Sequence, residues 1–191
     1  MSSDPYTLPP GLPVPEDDGA ADHLLGRMLP QLTLESTHGP MSLRALSQDL
    51  LVLYVYPRAG RPGVPSLTGW DEIPGARGCT PQSLGFKEAY PRFQELGADV
   101  AAISAQTLVD QREFAERNEI PYPILADPEL RVAAALRLPT FDVAGLTLYK
   151  RLALVVEGCA VVKVFYPVFP PDENAREVLA WLESRGVQAP V

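Results

Sequence analysis

Cysteine is nearly absent from this chain: among 191 residues only Cys79 and Cys159 carry thiols. Two thiols 80 positions apart (159 minus 79) form no CxxC motif, zinc pattern or disulfide framework, so a reducing, cytoplasmic setting is expected. Histidine is as scarce. His23 stands in a proline-rich start and His38 in a predicted hairpin turn, which excludes a histidine metal site or a Ser-His-Asp triad in the core. No G-x-G-x-x-G follows a predicted strand and no Walker loop occurs, so neither a cofactor nor a metal is expected. Lysine appears only at Lys87, Lys150 and Lys163, and a net charge of -8 with a pI near 4.8 argues against nucleic acid and anionic membranes as partners. The opening MSSDPYTLPPGLP has neither the basic nor the apolar region of a signal peptide, and no apolar run approaches the roughly 20 residues of a membrane span.

What the chain does have is 46% hydrophobic residues, enough for the core of one domain. Residues 1–28, rich in Pro, Asp and Gly and without periodicity, read as an extended, partly disordered arm, and residues 29–191 as the domain. QLTLES (31–36) and the segment near 41–43 predict a short hairpin. LLVLYVYP (50–57) is nearly continuous apolar, as in a strand buried on both faces. A Gly/Pro-rich loop covers 58–78 and precedes a helix over 80–96 with Pro91 as a kink point. There follow a strand over 98–105, a helix over 107–120, a short strand over 123–127 and a helix over 127–138 with Asp127 as cap. Residues 148–168 read as two strands around a Glu157-Gly158 turn, and a helix closes the chain over 172–185. This order predicts an α/β sandwich with a central mixed sheet flanked by helices.

The informative stretch is GARGCTPQSLGF (75–86). Thr80 and Pro81 suit a helix start, Thr80 as cap and Pro81 in the first turn. The Cys79 thiol then faces the positive end of a helix, where a thiolate is favoured. An unpaired cysteine is also a common small core residue, so both readings stand on local sequence. Three of the arginines, Arg58, Arg61 and Arg77, lie in the loop leading to it.

Together with LPQLTLES, LLVLYVYP, ISAQT, PILADPELRVAAALRL and KRLALVVEG in that order, GCTPQSLGF resembles the G-C-T-x-[EQ]-x-x-x-F segment of the peroxiredoxins, nearest their bacterioferritin-comigratory, or Q-type, branch. The resemblance implies a thioredoxin fold and a thiol peroxidase needing no cofactor. It makes Cys79 the peroxidatic cysteine and Arg151 the arginine beside its sulfur. Pro57 matches the proline that opens the active-site loop, with Gly78, Thr80 and Gln82 supporting the site. The partners it implies are a peroxide substrate and a thioredoxin-like or low-molecular-weight thiol reductant, and the expected state is a monomer or weak homodimer.

Three departures from the family pattern matter. Pro57 to Cys79 is 22 steps (79 minus 57) rather than seven, so the loop carries 15 extra residues. The slot three before the cysteine, a Thr or Ser in the family, is Ala76; Ser66, Thr68 and Thr80 are the candidates to replace its hydroxyl. The position five after the cysteine, which holds the resolving thiol in many Q-type members, is Leu84. Cys159 reads as a strand residue roughly 23 Å from Arg151, seven strand residues at ~3.3 Å each, beyond disulfide reach. The expectation is therefore a one-cysteine peroxidase relying on an external thiol. The alternative is a redox sensor or interaction protein on the same scaffold, with weak turnover.

Overall fold

The structure, a computed structural model, describes residues 4–187. In chain order the elements are β1 (Thr33–Ser36), β2 (Met41–Ser42), α1 (Leu43–Leu46), β3 (Leu50–Val55), α2 (Cys79–Glu95), β4 (Ala98–Ser104), α3 (Leu108–Asn118) and β5 (Ile124–Ala126). They continue with α4 (Arg131–Leu136), β6 (Thr140–Val143), β7 (Leu146–Tyr149), β8 (Leu152–Glu157), β9 (Ala160–Phe165) and α5 (Asn174–Val187). Seven strands form a mixed sheet in the order β2-β1-β5-β4-β3-β8-β9, parallel at β3–β4 and β4–β5 and antiparallel elsewhere.

The apolar run of β3 sits near the middle of the sheet because both its faces are covered. Leu51, Leu53 and Val55 enter one core layer with α4, while Val52, Tyr54 and Tyr56 enter the other with α2, α3 and α5. Each fully buried side chain of this size contributes about 1.5–3 kcal/mol. The core fixes the register, and the register positions the chemistry. Since β8 pairs antiparallel with β3, with Leu152 opposite Val55 and Glu157 opposite Leu50, Arg151 comes to the edge where β3 releases the active-site loop. The same pairing carries Cys159 to the opposite edge.

Several local expectations change. Cys159 is not a strand residue: with Gly158 it forms the two-residue turn between β8 and β9, both at positive φ (65° and 56°), as a hairpin matched to sheet twist requires. Its Sγ contacts the Arg44 carbonyl at 3.4 Å. Asp127 does accept from helix amides, those of Arg131 and Val132 at 2.9 Å each, but α4 starts only at Arg131, because Leu130 takes a left-handed φ of 53°. The β6–β7 hairpin, turned by Ala144 and Gly145 at positive φ, falls where the sequence reading placed no element before residue 148. Pro91 lies within α2, which continues past it to Glu95.

The N-terminal arm lies against the domain over its described residues. Ala21 and Leu24 are part of the buried core, and Met28 bridges to Ala160, so the packed region reaches back beyond Leu29. The Leu136 carbonyl can only accept, so His23 Nε2, 2.8 Å away, carries the proton between them. Lys150 and Tyr166 both donate to Asp18, Lys150 with the larger effect, and hold its carboxyl well below the usual range. Among the described residues no helix is long and apolar enough to cross a membrane.

Candidate active site

Gly78 is the N-cap of α2 at φ 105°, and Cys79 is the first helical residue. Thr80 therefore does not cap the helix. The chain reaches the helical conformation two residues earlier than a threonine cap requires, and glycine supplies the left-handed step. A Cβ at Gly78 would lie 2.3 Å from Pro171 Cγ and 2.9 Å from Leu8 Cδ2, so the position is closed by sterics as well as by φ. Gly78→Ala is expected to cost about 2–4 kcal/mol, combining backbone strain with overpacking. Thermal unfolding measures that loss directly, and an unchanged midpoint would show that the loop adapts freely.

Cys79 is 3% exposed and Arg151 also 3%. Arg151 Nη2 donates to Cys79 Sγ at 3.2 Å and to the carbonyls of Ala76 and Arg77, each at 3.1 Å. Its Nε reaches the Gly75 carbonyl at 3.3 Å, and its Nη1 donates to Gln82 Oε1 at 2.5 Å. Gln82 is held in turn by donating Nε2 to Asn174 Oδ1 at the start of α5, 2.9 Å away. Thus Arg151 both ties down the end of the loop and points one N–H at the sulfur. No carboxylate among the described residues forms an ion pair with it. A buried guanidinium without a carboxylate favours a negative sulfur as its counter-charge.

A cavity of about 270 Å³ opens beside Cys79, walled by Thr80, Gly78, Arg77, Trp70, Leu67 and Val64, with Pro5 of the arm and Arg58 at its rim. Trp70 and Leu67 are seated by the β6–β7 hairpin: Trp70 lies 6.2 Å from the Phe141 ring and packs with Ala76, Val143 and Leu148. At its other end the loop is clamped by Gln106, which accepts from the Ala59 N–H at 2.7 Å and donates to the Ala59 carbonyl at 3.2 Å. Arg117 joins Gly60 to the arm, donating to its carbonyl and to the Tyr6 hydroxyl. Pro57 is buried at the end of β3 but is not part of the cavity wall. Burial pushes the Tyr54 and Tyr56 phenols above the usual range, so both stay neutral. The Tyr54 hydroxyl donates to Ser83 and the Tyr56 hydroxyl to Gln111.

The sequence reading did not assign Gln106, Asn174 or the arm to the site. Gln106 had a signal, following Ser104 at the exit of β4 where ligand sites gather, whereas the arm's contacts are single residues without a pattern. Among the described residues no group of His, Cys, Asp and Glu could hold a metal ion.

The redoxin family profile matches residues 24–179. Chloroplastic peroxiredoxin Q of Sedum lineare is 29% identical over 177 residues, covering 92% of this chain and 86% of that protein. The Arabidopsis thaliana peroxiredoxin Q is 30% identical over 161 residues, covering 83% and 67%. Among solved structures, peroxidoxin BcpB from Mycobacterium tuberculosis superposes with a TM-score of 0.68 at 27% identity, over 84% of this chain and 96% of that one. The Xylella fastidiosa PrxQ structure gives 0.69 at 19% identity, covering 85% and 96%, a likeness of fold alone. The central mixed sheet with its flanking helices is thus the thioredoxin-like peroxiredoxin fold, and the chain belongs to the redoxin family, in its Q-type peroxiredoxin branch.

Proposed function

We propose that Cys79 is the peroxidatic cysteine of a one-cysteine thiol peroxidase acting on hydrogen peroxide or an organic hydroperoxide. As a peroxiredoxin the protein is an oxidoreductase; the finer reading rests on one observation, the Arg151 N–H 3.2 Å from Cys79 Sγ with no competing carboxylate among the described residues. The thiolate attacks one peroxide oxygen, an S–O bond forms and the O–O bond breaks. Sulfur loses two electrons to the peroxide, and the departing oxygen takes a proton to leave as water or an alcohol. An external thiol then attacks the sulfenic sulfur, forming S–S and expelling water. A second thiol releases Cys79 as a thiol, leaving the reductant as its disulfide.

The cavity volume supports an organic substrate as well as hydrogen peroxide, since about 270 Å³ is several times the ~30 Å³ share of a water molecule. The reading extends to a reducing, cytosolic setting, which the scarcity of cysteine favours. Stoichiometric peroxide followed by intact-mass and peptide analysis tests the scheme. The expected product carries one added oxygen on Cys79, further oxygens in excess peroxide, and a mixed disulfide when a small thiol is present. A bond between residues 79 and 159, within or between chains, would replace the one-cysteine route with a two-cysteine one.

A further inference from the structure

We infer that Thr80, the residue after the reacting cysteine, supplies the hydroxyl that binds the second peroxide oxygen, in place of the family's hydroxyl missing at Ala76. The inference rests on the peroxidase reading of Cys79 and adds a catalytic residue to it. Breaking the O–O bond places negative charge on the departing oxygen, which needs a hydrogen-bond donor at that moment. At residue 76 there is only a methyl group, buried in the Trp70, Val143 and Leu148 cluster.

Thr80 is 1% exposed, lines the same cavity as Cys79, and its Oγ1 has no hydrogen-bond partner among the described residues. Native proteins seldom leave a buried hydroxyl unpaired without a function. Its usual acceptors are shared with Arg151. A helical threonine ordinarily bonds back to the carbonyl three or four residues earlier, here Arg77 or Ala76. Both carbonyls already accept from Arg151 Nη2, and that of Ala76 also faces Cys79 Sγ at 3.7 Å. The guanidinium that faces the sulfur thereby leaves the neighbouring hydroxyl available. Threonine in a helix divides between two χ1 wells, so its hydroxyl and methyl exchange places at little cost when a substrate oxygen arrives.

The other hydroxyls are worse placed. Ser66 lines the cavity but is exposed to competing water, and Thr68 is exposed and outside the cavity wall. The hydroxyls of Tyr54 and Tyr56 are engaged with Ser83 and Gln111.

The test compares wild type, Thr80→Val and Thr80→Ser by stopped-flow oxidation with hydrogen peroxide, and by alkylation with iodoacetamide, which needs the thiolate but no donor to a departing oxygen. Thr80→Val is nearly isosteric. It is expected to lower the peroxide rate constant roughly 10- to 100-fold with alkylation unchanged, while Thr80→Ser stays within a few-fold of wild type. Wild-type oxidation by Thr80→Val, or equal losses in oxidation and alkylation, overturns the inference and leaves the peroxidase reading intact. A wild-type protein no faster than a free thiol overturns that reading, and the role of Thr80 with it.

Discussion

With Cys79 replaced by serine, peroxide reduction is expected to fall to background, a loss of roughly 10³-fold or more, whereas Cys159→Ser keeps most of it. The two sulfurs differ in every respect that sets thiol reactivity. Cys79 begins a 17-residue helix, whose unpaired N–H groups and dipole favour negative charge, and it receives an N–H from buried Arg151. Cys159 sits in the β8–β9 turn at the other end of the strand, where its Sγ contacts the Arg44 carbonyl and, among the described residues, no guanidinium or ammonium donates to it. Serine keeps the shape at either position, so the comparison isolates the nucleophile. Peroxide consumption in the presence of excess small thiol measures it. Comparable losses in the two variants would remove Cys79 from its role.

How much of this arrangement was legible in the sequence depends on how local its causes are. The run at 50–57 announced a strand buried on both faces because each of its residues is apolar, and no tertiary contact was needed to see it. The helix start at Cys79 was equally readable, but not its first residue. That depends on Gly78 at φ 105°, wedged against Pro171 and Leu8, contacts from distant parts of the chain. The consequence is that Thr80 sits inside the helix with its hydroxyl unused rather than at the cap. Arg151 was found by resemblance alone; its five acceptors are carbonyls, an amide and a sulfur brought together by the fold. The loop wall was harder still. Leu67 and Trp70 are apolar, but their seat is the β6–β7 hairpin, which hid behind an Ala-Gly turn and an interrupting Asp142, while Val64 stays exposed. The arm has no periodicity at all, and it is positioned by separate pairs such as Asp18 with Lys150 and Tyr6 with Arg117.

Replacing Arg151 by methionine is expected to slow peroxide reduction roughly 10²-fold, the scale of losing one preorganised charged donor in a dry site. Two effects contribute and they separate by reagent. The fixed charge stabilises the Cys79 thiolate, so iodoacetamide alkylation at neutral pH falls as well. In the proposed mechanism the guanidinium would also hold the peroxide oxygen beside the sulfur, and this second effect has no counterpart in alkylation. Arg151 further donates to the carbonyls of Gly75, Ala76 and Arg77, so its loss removes the anchor of the loop's end and leaves the buried Arg77 carbonyl without that donor, a cost of about 1–3 kcal/mol. For that reason thermal unfolding must accompany the kinetics, with Arg151→Lys as a second variant. Lysine keeps the charge as a single point without the planar fork, and cannot serve the sulfur, Gln82 and the loop carbonyls at once. It is expected to regain alkylation more fully than peroxide reduction. Wild-type rates for both reagents in a folded Arg151→Met protein would reduce this arginine to a strut for the loop.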